Sequence, residues 1–364
     1  MLHNLTIVII TFNRYCFLKR LLSFYQSFET NVNILVLDSS SDEIKDKELI
    51  KQLNQPNITW KKYDKKIFFA TKISEGSTFI NSKYAVLCAD DDFLFPNSLK
   101  NAIQFLENNK SYSSCCGLQY KHHIIKFLKK NIPIFRKSAL GGTSTDEENI
   151  FERLTKYLSG NSVYYPLYAV HRTLDFKKIW QDTATYANFW GLSEIFSCSL
   201  SLIFGKMKVL NIPYITRQKN NFNWLNKKIL NKMYSLDKVE KVKKQLSKSI
   251  TLLNKDSFEK NFILITKVFN LLIKKISNRV PNVEKVETFK FRLKTKIFKL
   301  PLIGPVVVKI YTELIGLIRL YLINRVYLFE HLDIKTKSSL KVALIDNECD
   351  ELQIEKIRKN YASL

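Results

Sequence analysis

The sequence predicts an α/β protein: a mostly parallel sheet flanked by helices, extended at its C-terminus by basic helices. Three observations predict it. Over the first 120 residues, apolar β-branched runs of strand length alternate with segments of helical spacing. Turn-forming or acidic residues close each of those runs. After about residue 218 the strand pattern stops, and Lys- and Asn-rich helical patterns take over.

The elements follow in order. Leu5 to Thr11 is a buried strand, because a half-exposed strand would alternate and this one does not. Phe17, Leu18, Leu21, Leu22 and Tyr25 recur at helical spacing and predict a helix over 14–28. Asn33 to Asp38 is the second buried strand; it ends in Asp38-Ser39-Ser40-Ser41-Asp42, side chains that bond locally and favour turns and caps. A weaker strand at 58–63, a helix over 70–82 and a strand at 84–89 come next. That strand runs into Asp90-Asp91-Asp92, and Pro96 opens a helix over 97–108. Strands separated by helices at this spacing imply right-handed crossovers and ligand binding at the carboxyl ends of the strands. Thr11, Asp38 and Asp90–Asp92 all fall at those ends.

Farther on, 112–122 is a strand and 128–145 a long loop holding Gly141-Gly142. A helix covers 146–158, a strand 163–170, a short helix 173–181 and an apolar helix 191–204. The strand 208–216 contains Pro213 and is expected at a sheet edge. Three regions result: 1–218, a basic helical stretch 219–300, and an amphipathic tail 301–364.

Composition narrows the classes. The 364 residues are 46% hydrophobic and 25% charged, which excludes a disordered chain and a small disulfide-stapled domain. The net charge of +25 is uneven. Residues 1–200 carry 25 basic and 19 acidic groups, residues 201–300 carry 24 and 6, and residues 301–364 carry 9 and 8. One hundred-residue segment is therefore a strong cation, drawn to nucleic acid, anionic lipid or phosphorylated substrates. The six cysteines lack metal-binding spacing, and several sit in apolar runs, so they are expected as buried free thiols in a reducing compartment. The first apolar run is too short, and lacks the basic lead, for a secretory leader. The chain also lacks a nucleophile elbow and a glycine-rich phosphate loop.

Three consecutive carboxylates at the end of an apolar strand repel one another unless cations offset them. They are either a solvated turn or a divalent cation site, whose oxygen ligands would suit Mg²⁺ or Mn²⁺ bridging to phosphates.

The ordered set Thr11-Phe12-Asn13-Arg14, Asp38-Ser39-Ser40-Ser41-Asp42 and Ala89-Asp90-Asp91-Asp92-Phe93-Leu94-Phe95-Pro96 resembles the nucleotide-sugar-binding half of family-2-like GT-A glycosyltransferases. The resemblance covers roughly residues 1–218 and implies a GT-A-type, Rossmann-like sheet. It implies that Thr11 and Arg14 line the nucleotide site and that Asp38 accepts a hydrogen bond from the base, typically uracil. Asp90 would contact the ribose, and Asp91 and Asp92 would hold the metal on the diphosphate. One departure is Ala89, where many members carry an Asp seven residues before the Pro, so which Asp binds metal stays open. By strand alternation Asp90 and Asp92 face one side.

In inverting members the base that takes the acceptor proton is an Asp or Glu at a later helix start. Glu194, the only carboxylate between Asp182 and Asp237, is that candidate; the alternative is a Glu placed by the helix dipole. Lys72 falls where this fold often touches the nucleotide, and Arg217 follows a strand where it could meet the diphosphate. Both are equally readable as solvated. His171 and Arg172 end a strand and are either structural or acceptor-binding.

The basic segment has no nucleic-acid-binding signature and favours Lys over Arg, so no nucleic acid is expected. It is a solvated bundle face or an anionic membrane contact. In 300–323 the polar positions Lys309, Thr312, Glu313, Gly316 and Arg319 form one stripe, as in a helix lying in a membrane interface or docked on protein. These readings combine into a metal-dependent, inverting glycosyltransferase, peripheral on the cytoplasmic face of the membrane. It would use a nucleotide-diphosphate sugar and a lipid-linked surface glycan acceptor. The rivals are a nucleotidyltransferase with a similar acidic site and a non-catalytic protein that binds anionic surfaces.

Overall fold

The computed structural model describes residues 1–28, 32–127, 130–137, 143–159, 166–189, 191–218, 235–279 and 332–345. Strands β1 (Leu5–Thr11), β2 (Asn33–Asp38), β3 (Ile58–Lys62) and β4 (Tyr84–Ala89) form a parallel block in the order β3-β2-β1-β4. Helices α1 (Tyr15–Gln26), α2 (Lys47–Leu53) and α3 (Phe69–Ser77) connect them. The continuous apolar runs of β1, β2 and β4 are buried, as strands covered on both faces must be. β3 is the edge and is largely exposed. Helix α2, which lacks a strong apolar period, starts because the Asp46 side chain accepts from the backbone of Glu48 and Leu49.

The second half of the sheet is mixed. After the two-residue strand β5 (Phe93–Leu94) and helix α4 (Pro96–Asn108) come β6 (Tyr112–Phe127) and β7 (Lys130–Lys137), an antiparallel pair. Helix α5 (Ile150–Ser159), strand β8 (Val170–Arg172), helices α6 (Thr173–Tyr186) and α7 (Leu192–Phe204) and strand β9 (Lys206–Gln218) complete the unit. The order continues β4-β8-β6-β9-β5, with β8 antiparallel to both neighbours and β9 parallel to β6.

Four expectations are corrected here. Part of the 128–145 loop is strand β7; its Pro133 opposes Ile124 on a strand paired only with β6, where a missing N–H is tolerated. The 163–170 strand shrinks to a 3₁₀ turn at Pro166–Tyr168 followed by three-residue β8, residues 163–165 lying outside the described set. Pro213 is not on an edge strand. It faces Leu118 at a register shift between β6 and β9, and β5 pairs only with Ile215 and Thr216, so no ladder bond needs its nitrogen. The cysteines are not all free: Cys88, Cys115, Cys116 and Cys198 are buried thiols, but Cys16 is disulfide-bonded to a partner outside the described residues.

Helices α8 (Leu236–Asn254) and α9 (Phe258–Arg279) pack on the first unit, α8 against α7 and α9 against α5 and α8. Val242, Leu246, Ile250, Ile265, Phe269 and Leu272 join the same buried cluster as the sheet. Helix α10 (Ile334–Ile345) packs on α1 and β7 and buries Leu340, Ala343 and Leu344. The amphipathic run at 300–323 lies outside the described residues. No helix among those described is long and apolar enough to cross a membrane.

Helix α3 seats against β2 through Gly76, where an added Cβ would stand 2.4 Å from Leu37 Cδ2 in a fully buried side chain. Gly76→Ala should therefore destabilise the fold by about 1–3 kcal/mol through overpacking, measured as a lower midpoint in chemical denaturation. An unchanged midpoint would mean that α3 is free to shift.

Candidate active site

Strand register assembles the site. Thr11 lies beside Asp38 across the β1–β2 pair, and Ile10 lies beside Ala89 across the β1–β4 pair. Three loops separated in sequence thus leave one edge of the sheet together, at the carboxyl ends of parallel strands.

The carboxylate triplet is buried, and cations meet it from two flanks. Arg14 opens α1 and spans two of the acids, Nη1 to Asp90 Oδ1 at 3.0 Å and Nη2 to Asp91 Oδ2 at 2.6 Å. Thr11 Oγ1 donates to the other Asp90 oxygen at 2.8 Å. Asp92 is held from the opposite side. The β5–β9 pairing sets Phe93 against Thr216, so the next residues of β9 reach back: Arg217 Nε lies 3.1 Å from Asp92 Oδ2, and the Gln218 backbone donates to Oδ1 at 3.0 Å. Burial pushes the Asp90 and Asp92 carboxyls above their usual range against the pull of Arg14 and Arg217. At Asp91 burial acts the same way, but the charge and hydrogen bond of Arg14 outweigh it and the net shift is down.

A third guanidinium stands beneath the triplet. Arg20 is fully buried between the rings of Phe17 and Phe93, 4.9 and 5.1 Å from their centroids. It donates to Gln218 Oε1 at 2.8 Å, while its Nε and Nη1 have no hydrogen-bond partner. Burial pulls it down to about 10, which leaves it charged at neutral pH.

The side of the site nearer β2 is built around Asp38 and Lys72. The Ser40 backbone donates to Asp38 Oδ1 at 2.7 Å; Tyr15 Oη and Lys62 Nζ donate to Oδ2 at 2.9 and 3.0 Å. Asn13 adopts a left-handed φ of 53° and stitches this loop to β1's, its backbone donating to Ser40 Oγ and its Oδ1 accepting from the Ser41 backbone. Lys72 projects from α3 into the buried space between the loops and donates to Thr11 O at 3.0 Å and Ser39 Oγ at 2.8 Å. Burial lowers it to about 8.

Glu194 reaches the same region. Gly191, at φ 78°, turns the chain into α7 and sets Glu194 in its first turn. Burial raises its pKa, opposed by the charge of Arg217. Arg217 also donates to Tyr168 Oη at 3.2 Å and sits 4.6 Å from the centre of that ring. Asp92, Arg217, Tyr168 and Glu194 are therefore electrostatic neighbours.

Two expected site residues are elsewhere. Arg172 pairs with Tyr84, the first residue of β4, and His171 with Ala85. At a rise of about 3.3 Å per residue, Arg172 is about 17 Å from the strand end that carries the acids. His171 is buried, bonds Ala169 O and Ser201 Oγ, and is lowered by burial to about 4; Arg172 ties down the Leu106 carbonyl. Neither side chain is placed beside the triplet. Conversely, sequence reasoning passed over Arg20, Tyr15, Lys62 and Tyr168. Only Arg20 left a signal: a charge in helical register with Phe17 and Phe24 on the apolar face of α1.

The chemistry of the donor set fits a divalent ion in part. Carboxylate oxygens are hard donors, and Arg14 already stands as a cation between Asp90 and Asp91. Yet the acids face two directions, and among the described residues no three acidic, His or Cys side chains converge on a point. A cation here would take one or two carboxylates and draw its other oxygens from a bound phosphate, as Mg²⁺ commonly does.

Arg217→Leu should cost about 1.5–3 kcal/mol, the range for a hydrogen bond to a charged group, because it leaves the buried Asp92 half-satisfied. Adding Asp92→Asn should recover part of that loss in urea denaturation. Additive losses would show that the pair is not coupled.

Residues 6–164 match the family model Glycosyl transferase family 2. No curated protein matches the chain in sequence. Among solved structures, S. aureus TarS residues 1–349 superposes with a TM-score of 0.48 at 11% identity, covering 80% of this chain and 77% of that one. The same fragment in complex with UDP-GlcNAc gives 0.48 at 13%, covering 73% and 72%. Against a longer TarS chain the score is 0.43 at 12% identity, and only 43% of that chain is covered. Residues 6–164 are thus similar to glycosyl transferase family 2, within a mostly parallel sheet of GT-A type.

Proposed function

We propose that the protein transfers a sugar from a nucleotide-diphosphate donor to a hydroxyl of a surface-glycan acceptor, with inversion. The observation that carries this reading is the register alignment of Thr11, Asp38 and Ala89, which brings the two loops and the acidic triplet to one sheet edge inside the family-matched stretch. Arg14, Arg20, Arg217 and Lys72 gather around the acids, which makes cationic groups available to an anionic diphosphate. Asp91 and Asp92 are the residues that would hold Mn²⁺ or Mg²⁺, which when bound supplies Lewis-acid stabilisation of the leaving group.

Glu194 takes the proton from the acceptor hydroxyl. The acceptor oxygen bonds to the anomeric carbon as the bond to the diphosphate breaks, and the departing charge is met by Arg14 and Arg217. Arg217 also donates to Tyr168, and its charge acts on Glu194. The acceptor is lipid-linked in this reading. Its support is the outward face of α8 and α9, where exposed Lys244, Lys248 and Lys267 accompany exposed Leu252, Leu253, Ile263 and Leu271, a composition suited to an anionic membrane on the cytoplasmic face.

Two measurements test the reading. A thermal-shift screen with nucleotide-diphosphate sugars and Mn²⁺ should raise the melting midpoint; no shift with any nucleotide would refute the donor site. Glu194→Gln should lower kcat by about 10²–10⁴-fold with donor affinity retained. Because burial raises the Glu194 pKa, the base is protonated and inactive at acid pH. Activity should climb with pH through a limb lying above the usual Glu range, and that limb should vanish in the Gln variant. An equal loss of donor binding would assign Glu194 to the donor site instead.

A further inference from the structure

Arg20 is poorly explained by core packing. It sits on the apolar face of α1, in helical register with Phe17 and Phe24, and is fully buried. Its Nε and Nη1 find no hydrogen-bond partner among the described residues, and each such group costs stability. A buried charge of this kind is often replaceable by an apolar side chain of similar volume without loss. What Arg20 does make is a set of links to the opposite flank of the triplet. Its Nη2 donates to Gln218 Oε1 at 2.8 Å and lies 3.5 Å from the Asp91 carbonyl oxygen. Its guanidinium also faces the ring of Phe93, the residue that follows the triplet, 5.1 Å from the centroid.

Those links fall where β5 no longer holds β9. The β5 pairing covers only Ile215 and Thr216, so Arg217 and Gln218 lie beyond it, with Lys121 and His122 of β6 as their neighbours on the other side. There the Gln218 backbone and Arg217 Nε grip the two oxygens of Asp92, and Arg20 holds the Gln218 side chain. The Arg217 side chain is 33% exposed and open to a bound anion. We propose that Arg20 is a positioning residue: through Gln218 it fixes the end of β9, and so sets the Arg217 guanidinium against Asp92 and toward the anion. The inference rests on the reading of Arg217 as a group that meets the diphosphate. An arginine suits this task because its planar fork fixes direction as well as distance, and the rings of Phe17 and Phe93 hold that plane.

The test compares Arg20→Met, Gln218→Met and Arg217→Leu in the full chain by two readouts. The first is hydrogen exchange at Arg217 Nε, followed by NMR. The bond to buried Asp92 should slow it in the wild-type protein, and Arg20→Met and Gln218→Met should each speed it about tenfold, the equivalent of one hydrogen bond to a charged group. The second is calorimetric binding of inorganic pyrophosphate. Arg217→Leu should weaken it about tenfold, and Arg20→Met and Gln218→Met by less. Arg20→Met combined with Arg217→Leu should bind no more weakly than Arg217→Leu alone. Losses that add, or a loss seen in Arg20→Met but not in Gln218→Met, would mean that Arg20 acts on the anion by its own charge, and either overturns the inference. Unchanged Nε exchange in both variants overturns it as well. If Arg20→Met does not fold, Gln218→Met, at a partly exposed position, decides by the same two readouts. If the wild-type protein binds no pyrophosphate, the diphosphate reading fails, and Nε exchange alone decides the positioning role.

Discussion

Burial of three adjacent carboxylates is the constraint around which this protein is organised. Each would cost several kcal/mol alone in a low-dielectric setting, and together they repel. The fold answers with guanidinium groups from both flanks. Arg14 comes from the end of β1 and Arg217 from the end of β9. Neither flank is local in sequence to the triplet, so the acids find their cationic partners on burial only when β1, β4, β5 and β9 are all in register. The two-residue strand β5 acquires its purpose here. It is too short to stabilise a sheet, but its pairing to β9 is what carries Arg217 and Gln218 to Asp92.

The same constraint explains which parts of the molecule were legible in its sequence. β1, β2 and β4 were plain because strands buried on both faces must be continuously apolar, and α1 and α4 because their apolar faces keep helical spacing. The loops at their ends were plain too, since Thr11, Asp38 and Asp90–Asp92 are polar groups where the pattern predicts strand termini. Partnership was not legible. That Lys62 would sit across from Asp38 depends on β2–β3 register, and that Arg217 would reach Asp92 depends on a bridge of two residues. Pro213 misled for a local reason: the sequence expects its strand at a sheet edge, yet β9 lies between β6 and β5 and the proline falls at a register shift, where it removes no needed bond.

His171 and Arg172 show how strand direction governs function. The sequence places them at a strand end, which in a parallel sheet would be the ligand edge. β8 is antiparallel to β4, so its carboxyl end lies at the opposite edge. A pattern of apolar residues cannot reveal direction, and these two residues lie at the far side of the sheet from the acids.

The basic segment, finally, is two things at once. Some of its charge is spent inside the protein. Lys243 is buried against Glu240 and the Phe262 ring, and Lys238 and Lys241 lie over Phe189, two residues before the glycine that turns the chain into α7. Helix α8 also packs directly on α7, the helix that carries Glu194. The first turn of α8 is therefore a buttress for the candidate base, and its lysines act there through aromatic faces rather than through phosphate. The exposed remainder, from Lys244 outward to Leu252 and Leu253, shares a rigid helix with that buttress. The outer surface thus belongs to the same helix that packs on α7, the helix carrying the candidate base Glu194.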